Sequence, residues 1–456
     1  MIMNRDTVVI GAGITGLTCA FRLKEKGADV AVLECLDRVG GQIHTVREEG
    51  FVFESGPNTG VIKYPEVAEL FEQLGARCTA EVAPDSSKRR LIWKGNRFHD
   101  LPSSPLSALR TPLFTWKDKL RILGEPWRKR GTDPYESVGS LAERRLGKSY
   151  ADYAVDPFLS GVYAGDPYRL PVRLALPLLY KLEQEHGSFV RGAIAKAKQP
   201  KTERDRKATK KVFSAEGGFS NLVDALADAI GRKRIVTGAN RTRITPHGEG
   251  WKVEYEHEGS PCTIHARKVV TTCAAYALPE LLPFIDRETM DGLSNLYYAP
   301  VVQVGVGIRD TGGHDWKAFG GLVPSCEQKD VLGILFPSAC FGGRAPQGGA
   351  SMACFMGGVR HPEVLRKSDE ELTRIVNAAL HDMLKYPEGK TADVVRIFRH
   401  ERAIPQYEAS TDLRLAAIGQ VQQAYPGLVI AGNLRDGIGM GNRIRQACDI
   451  AERYGV

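Results

Sequence analysis

Four consecutive β-branched residues, Thr7-Val8-Val9-Ile10, run straight into Gly11-Ala12-Gly13-Ile14-Thr15-Gly16. Leu17, Ala20, Phe21 and Leu23 then recur at helical spacing up to Lys26-Gly27. A second apolar run covers Asp29–Leu33, and Glu34 closes it. The first run has the form of a strand buried on both faces. Gly11 permits the tight turn, Gly13 lets backbone approach a pyrophosphate, and Gly16 lets the helix pack close to the strand. The helix start, with Ala12, Ile14 and Thr15 around it, offers unpaired N–H groups and a positive dipole end to phosphates. Glu34 stands 18 residues after Gly16, where a carboxylate can accept ribose hydroxyls. A lone glycine fingerprint is weak. With strand, helix and acid in order, it predicts a dinucleotide-binding βαβ unit in an α/β fold.

The next residues narrow the dinucleotide. Glu34-Cys35-Leu36-Asp37-Arg38-Val39-Gly40-Gly41-Gln42 has the form E-x-x-x-R-x-G-G. It resembles the FAD-dependent superfamily that includes amine oxidases, phytoene desaturases and protoporphyrinogen oxidases, and it implies FAD as cofactor. The second glycine pair allows another close backbone approach, and Arg38 can offset phosphate charge. Far along the chain, Leu428–Gly432 reads as a buried strand. A Gly-rich Asn433–Met440 segment follows, then a helix from about Asn442 to Tyr454. In a flavoprotein this second helix N-terminus would face the isoalloxazine ring and stabilise its reduced, anionic form.

Between these ends the chain is ordinary globular protein. Its 456 residues are 43% hydrophobic and 25% charged, which excludes disorder, collagen and coiled coil as the main architecture. The longest apolar runs, such as Leu174–Tyr180 and Val301–Ile308, are far below the roughly 20 residues of a spanning helix. Met1–Asp6 has no secretory-leader pattern, so no targeting address is expected. Nine scattered cysteines, with no C-x-x-C pair, argue against a disulfide framework or a zinc site and fit a reducing cytoplasm. The net charge of +8 suits an anionic ligand or an acidic membrane face, and a solvated surface equally well. Lys196–Lys211 holds eight Lys/Arg against two acids without aromatic residues; it reads as a solvated linker, and nucleic-acid binding is not expected.

Coarser signals organise the middle. Phe51–Asn58 reads as a strand and turn, Pro65–Leu74 as a helix, and Arg90–Trp93 with Arg97–His99 as a hairpin. Leu101–Lys198 is helical text broken by prolines, and its Leu101–Arg130 part interleaves Leu, Phe and Trp with Lys and Arg as a membrane-surface element would. Ser220–Ile230 is a helix, Lys252–Tyr255 and Thr263–Ala266 a hairpin, and Lys268–Thr272 a separate return to the sheet. Ala299–Ile308, Gly333–Phe336 and Ser351–Phe355 form a second sheet, and Pro362–Leu384 carries one helix. The expected architecture is a Rossmann-like FAD-binding domain with a mixed-sheet substrate domain and an inserted helical subdomain. The FAD-binding domain is discontinuous (1–62, 212–280 and 425–456), the substrate domain covers 63–100 and 281–424, and the membrane-associating helical subdomain covers 101–211.

Gly56-Pro57-Asn58, Ser160-Gly161-Val162-Tyr163-Ala164-Gly165-Asp166, GGFSNLVDAL around Phe219, Leu322-Val323-Pro324 and Ile404-Pro405-Gln406-Tyr407 occur in that order. The set resembles the oxygen-dependent protoporphyrinogen IX oxidases, with bacterial coproporphyrinogen III oxidases as near neighbours, over almost the whole chain. That resemblance implies FAD contacts at Gln42, Gly56, Pro57, Asn58, Thr59, Asn433, Ile438, Gly439 and Met440, and at Arg241 through its backbone near the adenine. It implies Arg89 as partner of a substrate propionate, with Arg90 adjacent and the register open by one. It implies Gly161 as a carbonyl acceptor for a pyrrole N–H, and Leu322 and Phe341 as apolar residues sandwiching a tetrapyrrole. The implied chemistry is hydride transfer from meso carbons to flavin N5 with molecular oxygen as acceptor, and no catalytic side chain. A peripheral place on the inner face of the cell membrane and a homodimer are open expectations.

Three other readings compete. A carotenoid desaturase would want a long apolar tunnel and no propionate partner, so Arg89 counts against it. An amine oxidase would present paired aromatics before the flavin, and Ala431–Asp436 has none. A flavin-binding assembly factor without catalysis would hold FAD that no porphyrinogen reduces.

Overall fold

The computed structural model describes residues 2–454. Its first sheet is built where the sequence is most apolar. The strand Ile2–Ile10 lies between Val30–Leu33 and Ser260–Thr271, parallel to both, and Ile235–Val236 extends the edge. Val8, Val9, Val30 and Val32 are fully buried, because helices cover one face and a second helical layer the other. The covering helices Ile14–Glu25 and Met440–Tyr454 pack on each other, so the two ends of the chain share one core.

One strand does two jobs. Ser260–Thr271 pairs antiparallel with Gly250–His257 through its first half. Its last residues, Val269–Thr271, pair in parallel with Leu428–Ile430. The expected hairpin arm and the expected return to the sheet are therefore one continuous strand. Its exposed, polar first half and buried β-branched second half disguise the continuity.

The second sheet runs, in spatial order, Val394–Pro405, Tyr298–Ile308, Ala350–Gly357, Gly333–Leu335, Gly320–Leu322, Arg90–Lys94 and Arg97–Asp100. Tyr298–Ile308 is buried along its whole length, as a central strand must be. Residues 394–405 gave no strand signal in the sequence, because the edge they form carries Arg396, Arg399, His400 and Arg402. Such charge on an edge strand blocks pairing with other chains. The expected single helix at Pro362–Leu384 is instead a short 3₁₀ turn, Pro362–Arg366, and a separate helix, Asp369–Asp382. Ser368 breaks it by capping: its side chain accepts the Glu371 N–H, and Glu371 returns the bond to the Ser368 N–H at 2.7 Å.

The segment between the sheets is a cluster of short helices. Its core is organised around Arg145, fully buried, whose guanidinium donates to Glu125 and, at 2.7 Å, to Glu183. The basic stretch after it is not a free linker. Glu203–Arg206 forms a helical turn, and Arg204 pairs with Glu66 and Glu69 of the helix Pro65–Leu74 at 2.8 Å. Among the described residues, no helix is long and apolar enough to cross a membrane.

Candidate active site

A single cleft of about 2430 Å³ runs from the end of the first sheet to the face of the second. Ligand pockets commonly enclose roughly 300–1,000 Å³. This one has room for a dinucleotide and a second large molecule end to end.

At the first end, Glu34 is buried and held by three donors: the Ala12 N–H at 2.6 Å, the Leu36 N–H at 3.0 Å and the Cys35 thiol at 3.3 Å. An ionised carboxylate can accept about four hydrogen bonds, so capacity remains for a ribose hydroxyl. Burial first, and the Glu34 charge second, push the Cys35 thiol above its ordinary range, which keeps it a donor. Arg241 lines this end, in left-handed conformation with φ +50°, its side chain largely exposed and 3.2 Å from Glu256.

The glycine turn has the shape the spacing requires. Gly11 sits at φ +102°, where L side chains are strained. A Cβ on Gly16 would lie 1.9 Å from the Gly11 carbonyl oxygen. The helix Ile14–Glu25 has no side-chain cap at Gly13, so its first N–H groups face the cleft unpaired. Gly40 and Gly41 close over this turn. Gly13 and Gly40 form a parallel bridge, and a Cβ on Gly41 would meet the Gly13 Cα at 3.3 Å. Arg38 lines the cleft while donating to the carbonyls of Val39, Gly41 and Ile43, so it also fastens its own loop.

Further along, a Cβ on Gly56 would be 2.1 Å from the Gln42 carbonyl oxygen, so these two loops touch. Gln42 reaches across to donate to the Ala403 carbonyl at 3.2 Å, and Asn58 folds back on Gly56 at 3.1 Å. Pro57 and Thr59 complete that wall. Opposite lies Asn433–Met440, with Asn433, Ile438, Gly439 and Met440 on the cleft.

This last loop is rigid for reasons absent from any motif. The buried Arg443 donates to the carbonyls of Gly432 and Arg435, and to Gln446 Oε1 at 2.8 Å. Gln446 accepts the Gly432 N–H at 2.9 Å and donates to Asp436 at 2.7 Å. Arg414, fully buried, donates to the Leu434 carbonyl, and the Tyr407 hydroxyl to the Asn433 carbonyl at 2.6 Å. Among the described residues neither guanidinium has a carboxylate partner, and each keeps one nitrogen unpaired, Arg443 Nε and Arg414 Nη1. Burial lowers the pKa of both, yet from an ordinary value so high that they stay cationic. Two fixed positive charges and a helix N-terminus therefore stand behind the loop. That suits a ring that becomes anionic on reduction. The turn glycines, the spare acceptor capacity of Glu34 and this positive wall fit FAD. The Arg443/Arg414/Gln446 set was missed because its partners are main-chain atoms, which leave no residue pattern.

At the far end, Gly161 packs directly against Leu322, both on the cleft wall; a Cβ on Gly161 would lie 2.5 Å from Leu322 Cδ2. The Ser160–Asp166 and Ile404–Tyr407 segments meet beside them, where buried Gln406 donates to the Tyr163 carbonyl at 2.8 Å. Two of the expected residues sit elsewhere. Arg89 is exposed and bound to Asp100 at 2.9 and 3.2 Å, off the cleft. Its neighbour Arg90 lies on the cleft wall with its guanidinium 5.5 Å from the Phe319 ring centre. Arg90 opens the strand Arg90–Lys94 opposite Gly320 of the cleft wall, whereas Arg89 precedes the strand and is turned to Asp100. Phe341 is buried beneath the Arg344 guanidinium and does not line the cleft; Phe319 and Phe355 do.

A family described as flavin-containing amine oxidoreductase matches residues 14–452. The chain belongs to that family. It is an FAD-dependent oxidoreductase. It is 29% identical to protoporphyrinogen oxidase 2 of Arabidopsis thaliana, covering 99% of this chain and 94% of that one. It is 24% identical to the coproporphyrinogen III oxidase of Bacillus subtilis (strain 168), covering 97% and 96%. A crystal structure from Exiguobacterium sp. 255-15 superposes with a TM-score of 0.80 at 21% identity, covering 98% of each chain. A reduced UDP-galactopyranose mutase shares the fold at 0.73.

Proposed function

We propose that this oxidoreductase converts protoporphyrinogen IX to protoporphyrin IX, with molecular oxygen as the acceptor. The observation that carries the reading is the slot beyond the cofactor region, walled by Gly161, Leu322, Phe319 and Phe355, with Arg90 at its side. Its walls are apolar and flat, as a tetrapyrrole is. Bound FAD supplies the redox chemistry, accepting a hydride from a meso carbon. The chain's own residues then have to orient the macrocycle, exclude water and hold its carboxylates. The Gly161 carbonyl, in the last turn of its helix where carbonyls lack an intrahelical partner, can accept a pyrrole N–H.

Protoporphyrinogen has two propionates and coproporphyrinogen four. Of the lysines and arginines on the second sheet, Arg90 alone lines the cleft among the described residues. Lys63 and Arg173 line other walls of the same cleft, so what supports the substrate with two propionates is the likeness to relatives, 29% identity to protoporphyrinogen oxidase 2 of Arabidopsis thaliana against 24% to the coproporphyrinogen III oxidase. The test is anaerobic mixing of the purified yellow protein with each porphyrinogen while flavin absorbance is followed. Bleaching is expected to be faster with protoporphyrinogen IX. Bleaching by coproporphyrinogen III alone would reassign the substrate, and bleaching by neither would overturn the reading.

The helical segment supports association with a membrane surface. Leu109, Trp116, Leu120, Leu123 and Trp127 are each more than half exposed, with Lys117, Lys119 and Arg121 among them. Apolar side chains ringed by cations fit an anionic bilayer interface on the inner face of the cell membrane.

A further inference from the structure

The helix Asp156–Tyr163 supplies Phe158, Ser160, Gly161 and Val162 to the slot, yet it has only eight residues and enters from a π-helical turn, Ala151–Val155. A helix that short is marginal unless tertiary contacts hold it. Both of its ends are tied to one side chain from the other sheet. Arg360 Nη1 donates to Asp156 Oδ1 at the helix start and to Ser325 Oγ at 2.6 Å. Arg360 Nη2 donates to Asp166 Oδ1, just past the helix end, at 3.0 Å. The second oxygen of Asp156 accepts both the N–H and the hydroxyl of Ser325 at 2.7 Å. A main-chain bond from the Val359 N–H to the Ala164 carbonyl, 2.8 Å, seats the same turn against the helix end.

None of Arg360, Asp156, Asp166 and Ser325 lines the cleft, and none contacts the loops around the cofactor region. Asp156 is buried, Arg360 and Asp166 are partly so, with side-chain exposures of 7%, 26% and 23%, and Ser325 is exposed. Leu322, three residues before Ser325, is the residue that Gly161 packs against. The guanidinium thus fixes the helix and the adjoining Leu322 wall of the slot to each other through a planar fork that lysine cannot reproduce.

We propose that Arg360 is a positioning residue for the substrate slot: by clamping both ends of the Asp156–Tyr163 helix to the Ser325 turn, it holds Gly161 against Leu322 and so fixes the wall of the slot that the two residues form together. The role rests on the porphyrinogen reading above. It acts on binding and alignment of the macrocycle and leaves FAD untouched.

The test uses purified holoenzyme carrying Arg360→Met, Arg360→Lys, Asp166→Asn and the Arg360→Met/Asp166→Asn pair. Two readouts are taken: kcat and KM for protoporphyrinogen IX and coproporphyrinogen III, and amide hydrogen exchange across the chain. Arg360→Met is expected to raise KM tenfold or more, to lower kcat less than threefold and to keep full FAD content. Exchange should accelerate at 156–166 and stay unchanged in Ile14–Glu25 and Met440–Tyr454. Arg360→Lys should recover less than half of the loss, and Asp166→Asn should add almost nothing to Arg360→Met. An unchanged KM in Arg360→Met, additive effects in the pair, or loss of FAD alongside general acceleration of exchange would each overturn the proposal. If the wild-type enzyme oxidises neither porphyrinogen, the substrate reading fails and the slot role with it, while the exchange data still decide whether the clamp exists.

Discussion

Exchanging the two adjacent arginines for alanine, one at a time, separates the cleft wall from the exposed pair with Asp100. In Arg90→Ala, the variant loses a guanidinium on the cleft wall that stacks 5.5 Å from Phe319 and has no carboxylate partner of its own. A hydrogen bond to a charged group contributes about 1.5–3 kcal/mol. Arg90 is exposed to solvent, which pulls that figure down to roughly 1–2 kcal/mol. At about 1.4 kcal/mol per tenfold, KM for the porphyrinogen should rise roughly 5–30-fold. The flavin is not touched, so kcat and FAD content should hold. Such a pattern marks an interaction made equally in ground and transition states. In Arg89→Ala, only the exposed pair with Asp100 is lost, worth about 0–1 kcal/mol of stability, and KM should stay within about twofold of wild type on the same argument. The assay is initial-rate porphyrin fluorescence over a substrate series at fixed oxygen. A larger KM increase in Arg89→Ala than in Arg90→Ala would refute the reasoning, because the anion would then sit off the cleft wall. Two silent variants would refute it equally.

Gly16→Ala places a Cβ 1.9 Å from the Gly11 carbonyl oxygen. Overpacking of that kind costs about 1–3 kcal/mol, so FAD should bind roughly 10–100-fold more weakly, read by flavin retention on gel filtration. Replacing Trp116, Leu120 and Trp127 with serine should abolish co-sedimentation with anionic vesicles while activity on detergent-dispersed substrate persists; retained sedimentation would remove this surface from the membrane reading. Glu54 is buried beneath the second sheet, accepting from the Phe219 N–H and the Thr45 hydroxyl, and burial above all raises its pKa. The folded state therefore holds that proton to higher pH than the unfolded chain, whose glutamate titrates near ~4.3. Stability should fall as pH rises from that value through the raised one. The difference in Tm between wild type and Glu54→Gln should grow over that window and then level off; a pH-independent difference would show that Glu54 titrates normally.

How much of this was legible in the sequence depends on whether a feature lives in side-chain identity or in main-chain geometry. From Thr7 to Gly41 the text was read closely, because glycines that must adopt φ +102° or admit a neighbour at 1.9 Å leave no alternative residue type, while the first strand starts at Ile2, five residues before its β-branched run. The helices Pro65–Leu74 and Ser220–Ile230 matched their periodicity for a similar reason: buried positions recur on one face. The strand 394–405 did not, since an edge strand in contact with solvent carries charge where an inner strand carries valine. Register of the substrate arginine also escaped, because only the pairing partner, Gly320 against Arg90, tells which of the two adjacent residues reaches the cleft wall. The buried guanidiniums escaped most completely. Arg360, Arg414 and Arg443 look like any surface arginine in text; Arg360 works by joining segments far apart in the chain, Arg414 and Arg443 by holding carbonyls of the loop at Gly432–Arg435. Arginine suits that task, since its planar fork can reach several carbonyls or carboxylates at once without losing charge. In this chain glycines shape the cleft, while buried arginines hold its walls in place, and the second group becomes visible only once the fold brings its partners together.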